Sequence, residues 1–245
     1  MSSSLDRVWL GSWVQGEHLD ETALDRYRRT FECHPARLTV LRRFLHGDLA
    51  AQLRVFLGQE VEYRVVHGLH GRVNSHEVDE HTWLEAEEGD RFYRYRVIDK
   101  VRPEHRLSRN VIAFFRLRRA LSDDRFVRLF EQIAGIPLGA LHVNVHTMKT
   151  GDFLSPHSDA VGHRRLAYVL FLSPDWSAAS GGVLHVVANQ EHSCGGTWRL
   201  EPDDNSLVIF DVTARTDHFV SRIEAAAADR TRLTIGGWIE DRGPA

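Results

Sequence analysis

SPHSDAVGHRRLAYVLFL, residues 155–172, sets an imidazole and a carboxylate two positions apart, His157 and Asp159, just before a long apolar run with β-branched and aromatic members. On an extended chain, side chains two apart leave the same face. A metal ion is one physical reason to hold His157 beside Asp159 at the mouth of a buried strand. The rest of the chain must then supply a third ligand and a reason for the metal to be there.

Around this stretch the sequence has the texture of a β protein. Short apolar or alternating runs at 140–147, 153–157, 165–172, 183–187, 197–200, 206–210, 218–223 and 232–239 are separated by turn residues such as Ser173-Pro174-Asp175, Gly181-Gly182 and Pro202-Asp203-Asp204. Short strands at such regular spacing predict a two-sheet jelly roll or barrel. Strands remote in sequence become neighbours in such a fold, so a residue near 218 can meet His157 and Asp159.

The preceding half reads differently. Residues 20–31 and 35–57 carry apolar residues at helical spacing, with Asp20 as the expected cap. Residues 60–66 and 91–101 (RFYRYRVIDKV) alternate like strands. Residues 107–136 read mostly as helix, with Phe114, Leu117, Leu121, Phe126, Phe130 and Ile133 recurring at three and four. Ser122 is the expected cap of its second part, and Gly135 and Pro137 are the stop. The expected organisation is α+β with a mainly β core. Residues 1–138 form a helix-rich support region with a few strands, packed on a catalytic core at 139–245 in one integrated domain.

The totals narrow the function. The 245 residues suffice for a sizeable core, and 42% hydrophobic with 27% charged is a soluble globular mixture. A net charge of -3 gives no electrostatic footprint for nucleic acid. Two cysteines, Cys33 and Cys194, are too few for a disulfide framework and fit a reducing compartment. Neither a signal-peptide core nor a membrane-length apolar run is visible, so a cytoplasmic protein with no membrane association is expected.

His218, opening a strand-like run, is the expected third ligand. Two imidazoles and one carboxylate cover one face of an octahedral ion and leave three positions open, which suits non-haem Fe(II) taking an organic chelate and O2. A closed zinc site would need more sulfur or nitrogen than this region offers. The usual electron source for such an iron centre is 2-oxoglutarate, whose far carboxylate needs a fixed cation. Arg232 opens RLTIGGW and offers a planar donor fork, with the Thr234 hydroxyl on the same strand face.

The landmarks GDFLSPHSD (151–159), RRLAYVLFLSPDW (164–176), GGVLHVV (181–187), DNSLVIFD (204–211), His218 and RLTIGGWI (232–239) occur in an order that resembles the Fe(II)/2-oxoglutarate-dependent oxygenases, nearest to their prolyl-hydroxylase-like branch. The resemblance implies a double-stranded β-helix and the cofactors Fe(II), 2-oxoglutarate and O2, with ascorbate as an accessory reductant. It implies His157, Asp159 and His218 as iron ligands, Arg232 as the grip on the distal carboxylate and Thr234 as its helper. Gly181 and Gly182 match a glycine pair that opens a core strand. Two departures stand out. Thr147 or Met148 occupies the place of a tyrosine before the GDFL segment. Phe171 replaces a tyrosine on the strand after HSD, so Tyr168 and Asn144 are the expected substitutes in the 2-oxoglutarate pocket. The retained Asp159 favours hydroxylation over halogenation.

The expected function is hydroxylation of an unactivated C–H in a small amino-acid-like or carrier-tethered metabolite, releasing succinate and CO2. The alternatives are a protein hydroxylase acting on prolyl or another side chain and, in a different class, a cupin-like metal-binding protein without oxygenase activity. Desaturation and cyclisation stay open, as does the oligomeric state. His142, Asn144 and His146 share one face under strict alternation and are candidates for the pocket wall. His163 and Arg164 are expected in a solvated loop, with a substrate contact as the minority reading. His185 is expected on the outside of the sheet, and Arg91, Arg94 or Arg96 is available to an acidic ligand group.

Overall fold

The computed structural model describes residues 5–71, 75–188, 196–213 and 216–243. Cys194 lies outside the described residues, and Cys33 is exposed and free. No described helix is long and apolar enough to cross a membrane.

Among the described residues, the first half supplies helices α1 (Arg7–Leu10), α2 (Glu21–Cys33), α3 (Gly47–Val55), α4 (Glu80–Glu85), α5 (Arg109–Leu121) and α6 (Asp124–Ala134). It also supplies strands β1 (Leu38–Leu41), β2 (Val61–Leu69), β3 (His76–Val78) and β4 (Arg91–Val101). The second half supplies β5 (Leu138–Leu141), β6 (Asn144–Met148), β7 (Phe153–His157), β8 (Arg164–Phe171), β9 (Leu184–Ala188), β10 (Gly196–Leu200), β11 (Ser206–Asp211), β12 (Thr216–Val220) and β13 (Arg232–Asp241).

Helix ends follow side-chain chemistry. Asp20 accepts the backbone N–H groups of Thr22 and Ala23 at the start of α2, and Ser108 accepts that of Val111 at the start of α5. Gly135, at φ 70°, closes α6 in the left-handed conformation that glycine adopts without a Cβ penalty. The expected cap Ser122 is displaced by its neighbour Asp123, whose carboxylate accepts the Arg125 N–H at the start of α6. A second correction concerns 35–57. Leu38-Thr39-Val40-Leu41 is a strand pairing antiparallel with β11, and helix begins only at Gly47. Its apolar residues fit helical spacing, but a short apolar run of this length fits a sheet edge as well, and pairing with β11 decides.

The strands run in the order β1-β11-β8-β13-β6-β4-β7-β12-β9-β10, with β2 and β3 beyond β4 and β5 beside β13. The path curls at β4, which pairs with β6 through Arg96 and Thr147 and with β7 through Tyr93 and Leu154. The two halves of the path therefore face each other, and the expected double-stranded β-helix with supporting helices is the observed architecture. Alternation sorts the residues. Leu166, Tyr168 and Leu170 of β8, with Leu233 and Ile235 of β13, pack on the helices in one buried cluster. Ala167, Phe171, Met148, Leu184, Val186 and Phe210 fill the space between the facing sheets in a second cluster. The cavity that carries the polar chemistry opens off that second space.

Candidate metal centre and co-substrate cavity

His157 is the last residue of β7, and its Cα pairs across the ladder with His218 of β12. Cross-strand neighbours point to the same side, so the two rings meet with centroids 4.1 Å apart. His157 Nδ1 lies 2.9 Å from the Ser155 carbonyl. It donates there, which leaves the lone pair on Nε2. Phe92 packs edge-on against the ring at 5.3 Å.

His218 is 6% exposed and lies edge-on to Phe210. Burial holds its pKa well below the ordinary value, with neighbouring His157 acting in the same direction, so the imidazole is neutral. Asp159 follows β7 by two residues. Its Oδ2 is 3.5 Å from His218 Nε2 and its Oδ1 is 3.9 Å from His157 Nε2. One donor atom from each of the three residues lies within 4.8 Å of the others, a group that can hold a metal ion. Two imidazoles and one carboxylate oxygen suit a divalent transition metal. His218 Nδ1, by contrast, is buried with no hydrogen-bond partner among the described residues.

Arg232, the first residue of β13, is 3% exposed and lines the same cavity. Its Nε donates to the Gly182 carbonyl at 2.8 Å, one guanidinium nitrogen sits 3.7 Å from Met148 Sδ, and the group lies over the Phe171 ring. No carboxylate among the described residues pairs with it. Burial pushes its pKa down to about 9. A buried guanidinium with free donors and no counter-ion is an unfavourable arrangement alone and a good receptor for a carboxylate. Gly181 and Gly182 permit it: both have positive φ, and a Cβ on Gly182 would come within 3.0 Å of Arg232 Cδ.

Thr234 lines the cavity beside Arg232, but its hydroxyl donates to the His146 carbonyl at 2.7 Å. It therefore presents lone pairs to the cavity unless the hydroxyl turns. Asn144 and His146 share the inner face of β6 with Met148, as alternation predicts. His142 does not. It lies in the break before β6, stacks on Trp238 and sits 2.9 Å from Glu240. Tyr168, the other expected substitute, is committed elsewhere by its hydroxyl. Although it borders the cavity, its ring packs among the helix-side residues against Phe130, and its hydroxyl donates to the His142 carbonyl at 2.9 Å. It is thus occupied as a hydrogen-bond donor, and the inner face of β8 belongs to Ala167 and Phe171.

The cavity measures about 710 Å³, within the ordinary range for small-molecule sites. Its wall includes residues the sequence reading passed over, chiefly Phe92, Tyr93 and Tyr95. Tyr95 lies 4.7 Å from Tyr93 and 4.6 Å from His146, centroid to centroid, which makes a file of three rings along the wall. The period-two pattern of RFYRYRVI was the available signal, but it does not say which face turns inward. The arginines of this strand, available in the sequence to an acidic ligand group, have partners within the chain. Arg94 and Arg96 pair with fully buried Asp152 of the chain itself, and Arg91 donates to the carbonyls of Trp83, Leu84 and Ala86. Arg164 is likewise no bare loop residue: it donates to Asp159 Oδ1 at 2.7 Å. His185 points outward and stacks on Phe219, as expected.

Residues 143–240 match the sequence profile of the 2OG-Fe(II) oxygenase superfamily. The chain is 31% identical over 142 residues to prolyl 3,4-dihydroxylase OGFOD1 of Ostreococcus tauri, a match covering 54% of this chain and 27% of that protein. It thus spans about a quarter of the length of that relative. Two solved structures share the fold: a prolyl hydroxylase from Trichoplax adhaerens in complex with a hypoxia inducible factor peptide (TM-score 0.59, 15% identity, 90% of each chain covered) and a Pseudomonas putida prolyl-4-hydroxylase (TM-score 0.55, 18% identity, 90% of this chain and all of that one).

Proposed function

We propose, from the premise that residues 143–240 are a 2OG-Fe(II) oxygenase domain of prolyl-hydroxylase-like type, that this chain hydroxylates a prolyl-type residue of a protein or peptide. The observation that carries the reading is the meeting, in one cavity, of two imidazoles and a carboxylate with a buried arginine that has no carboxylate partner among the described residues. His157 Nε2, His218 Nε2 and Asp159 Oδ2 are assigned to iron. Arg232 is assigned to the distal carboxylate of 2-oxoglutarate, with the Thr234 hydroxyl beside it. Bound iron, with 2-oxoglutarate and O2, supplies the oxidation of an unactivated C–H, the co-substrate leaving as succinate and CO2.

The protein's own contribution is placement and exclusion of water. The aromatic file from Tyr93 to His146 walls the approach to the triad, and burial pushes the His146 pKa down to about 4, with Arg232 adding to the effect, so its ring is neutral. Asp159 is the lone carboxylate among the described lining residues. A cationic side chain would meet no carboxylate among the described lining residues other than Asp159, which is assigned to the metal, whereas an uncharged pyrrolidine ring fits an aromatic wall. The small-metabolite substrate put first in the sequence reading thus gives way to its alternative, which the prolyl-hydroxylase relative supports better. We place the activity in the cytoplasm, in keeping with two cysteines in the whole chain.

The test is succinate formation with Fe(II) and 2-oxoglutarate, run against proline-containing peptides and against free amino acids. Peptide-stimulated turnover with a one-oxygen mass gain on proline is the expected result. Turnover raised by free amino acids alone would return the small-molecule reading. Absence of any metal-dependent turnover, matched by His157→Ala, would remove the enzyme reading altogether.

A further inference from the structure

The two oxygens of Asp159 are not equivalent. Oδ2 lies 3.5 Å from His218 Nε2, while Oδ1, 3.9 Å from His157 Nε2, accepts from Arg164 Nη1 at 2.7 Å. Arg164 is itself held. Its guanidinium carbon lies 3.6 Å from the Trp238 ring centroid. Trp238 stacks at 29° on His142, whose Nε2 is 2.9 Å from Glu240. Arg164 and Glu240 are register partners between β8 and β13. The guanidinium is thus flanked by the Trp238 indole face, on β13, and by an Asp159 oxygen in the turn after β7, and it lines the cavity.

This matters because a carboxylate that rotates freely can offer a metal one oxygen or two. Two oxygens from Asp159 would fill one of the three positions that a chelating keto acid and O2 require. A short charge-assisted hydrogen bond fixes the turn of the carboxylate and draws electron density from Oδ1, so it disfavours donation by both oxygens to one metal.

We infer that Arg164 is a positioning residue of the metal centre: held flat on Trp238, it ties up Asp159 Oδ1, restricts Asp159 to one-oxygen donation through Oδ2, and so keeps a coordination position open. The inference rests on the metal assignment above. Arginine is required rather than any cation, because a lysine ammonium supplies charge without the planar stack and the directed fork.

The test uses the whole chain, titrated with Mn(II) and with Co(II) in the absence of O2. Partners that orient metal ligands typically contribute roughly 10–100-fold in affinity. Arg164→Ala is expected to weaken Mn(II) binding by about 10-fold or more. It is also expected to alter the visible d–d spectrum of the Co(II) form, whose intensity reports coordination number, while the metal-free protein melts as the wild type does. Arg164→Lys recovers part of the affinity but not the wild-type spectrum, and Trp238→Leu shifts the spectrum in the direction of Arg164→Ala. If Arg164→Ala does not fold, Arg164→Gln, which retains the stem, carries the same expectations. Mn(II) affinity within about threefold of wild type together with an unchanged Co(II) spectrum overturns the inference while leaving the metal assignment standing. A wild-type chain that binds neither ion overturns both.

Discussion

The two faces of β13 and β8 alternate along the same short strands and behave oppositely. On β13, Leu233 and Ile235 turn to the helices while Arg232 and Thr234 turn to the cavity. On β8, Tyr168 and Leu170 pack outward under α6, and Ala167 and Phe171 pack inward. The helix-backed face is closed by residues such as Phe130, Leu170 and Ile235, each at most 2% exposed. The inner face carries a buried cation, a buried hydroxyl and neutral imidazoles. The outer face supplies the burial that makes the sheet rigid, which lets the inner face keep groups that would destabilise a fold by themselves. Stability and chemistry are thus segregated by the pleat.

The sharpest way to break that segregation is Phe130→Ala on the helix side. Truncating a buried phenylalanine costs about 3–5 kcal/mol, read as a lower denaturant midpoint, while the fraction that remains folded keeps its metal affinity. A parallel loss of metal affinity would mean that the two faces are coupled.

Next in size is Arg232→Met on the inner face. Loss of a charge-assisted carboxylate contact weakens 2-oxoglutarate binding by about 100-fold, or about 2.7 kcal/mol. The metal-free protein becomes no less stable, because a buried cation without a carboxylate partner is removed. Unchanged 2-oxoglutarate affinity in calorimetry would dismiss the anchor.

A pH series on metal-free protein sharpens the same contrast. The folded pKa of His146 is depressed to about 4 from an ordinary 6.5. Between those values the unfolded chain takes up a proton that the fold refuses, so stability is full above about 6.5 and falls as the pH drops toward 4. Allowing for solvent entering the cavity, the loss is about 2 kcal/mol. His218 acts in the same direction, so the difference between wild type and His146→Phe isolates His146. Identical pH dependence in the two would show that His146 titrates normally.

The smallest expected effect is Thr234→Val. It removes one hydrogen bond, to the His146 carbonyl, and costs about 1 kcal/mol, with 2-oxoglutarate affinity falling less than in Arg232→Met. An equal fall would make the threonine a donor to the co-substrate after all.

Much of the fold was legible because its signals are local. The cap at Asp20, the stop at Gly135 and the alternation of 91–101 each depend on neighbours within a few residues. The candidate site was legible where a motif is compact, as in His157 and Asp159, or where one alternation places two groups together, as in Arg232 and Thr234. Residues 35–57 misled because the choice between a short buried strand and a helix was made by β11, far along the chain. Tyr95 was passed over, and Tyr168 was read toward the cavity, for a related reason: a period of two announces two faces and is silent about which one meets the helices. Arg164 reads as a loop residue until the turn after β7 brings it back to Asp159.

The sequence by itself determined the elements, their polarity pattern and the identity of the groups able to bind a metal and an anion, since these follow from dihedral preference, side-chain period and donor chemistry within short windows. Tertiary structure alone decided that β7 lies against β12, that Tyr95 lines the cavity while the Tyr168 ring packs against Phe130, and that Arg164 closes on one oxygen of Asp159. Those outcomes depend on cross-strand register and on how the sheet curls at β4, which no stretch of chain contains within itself.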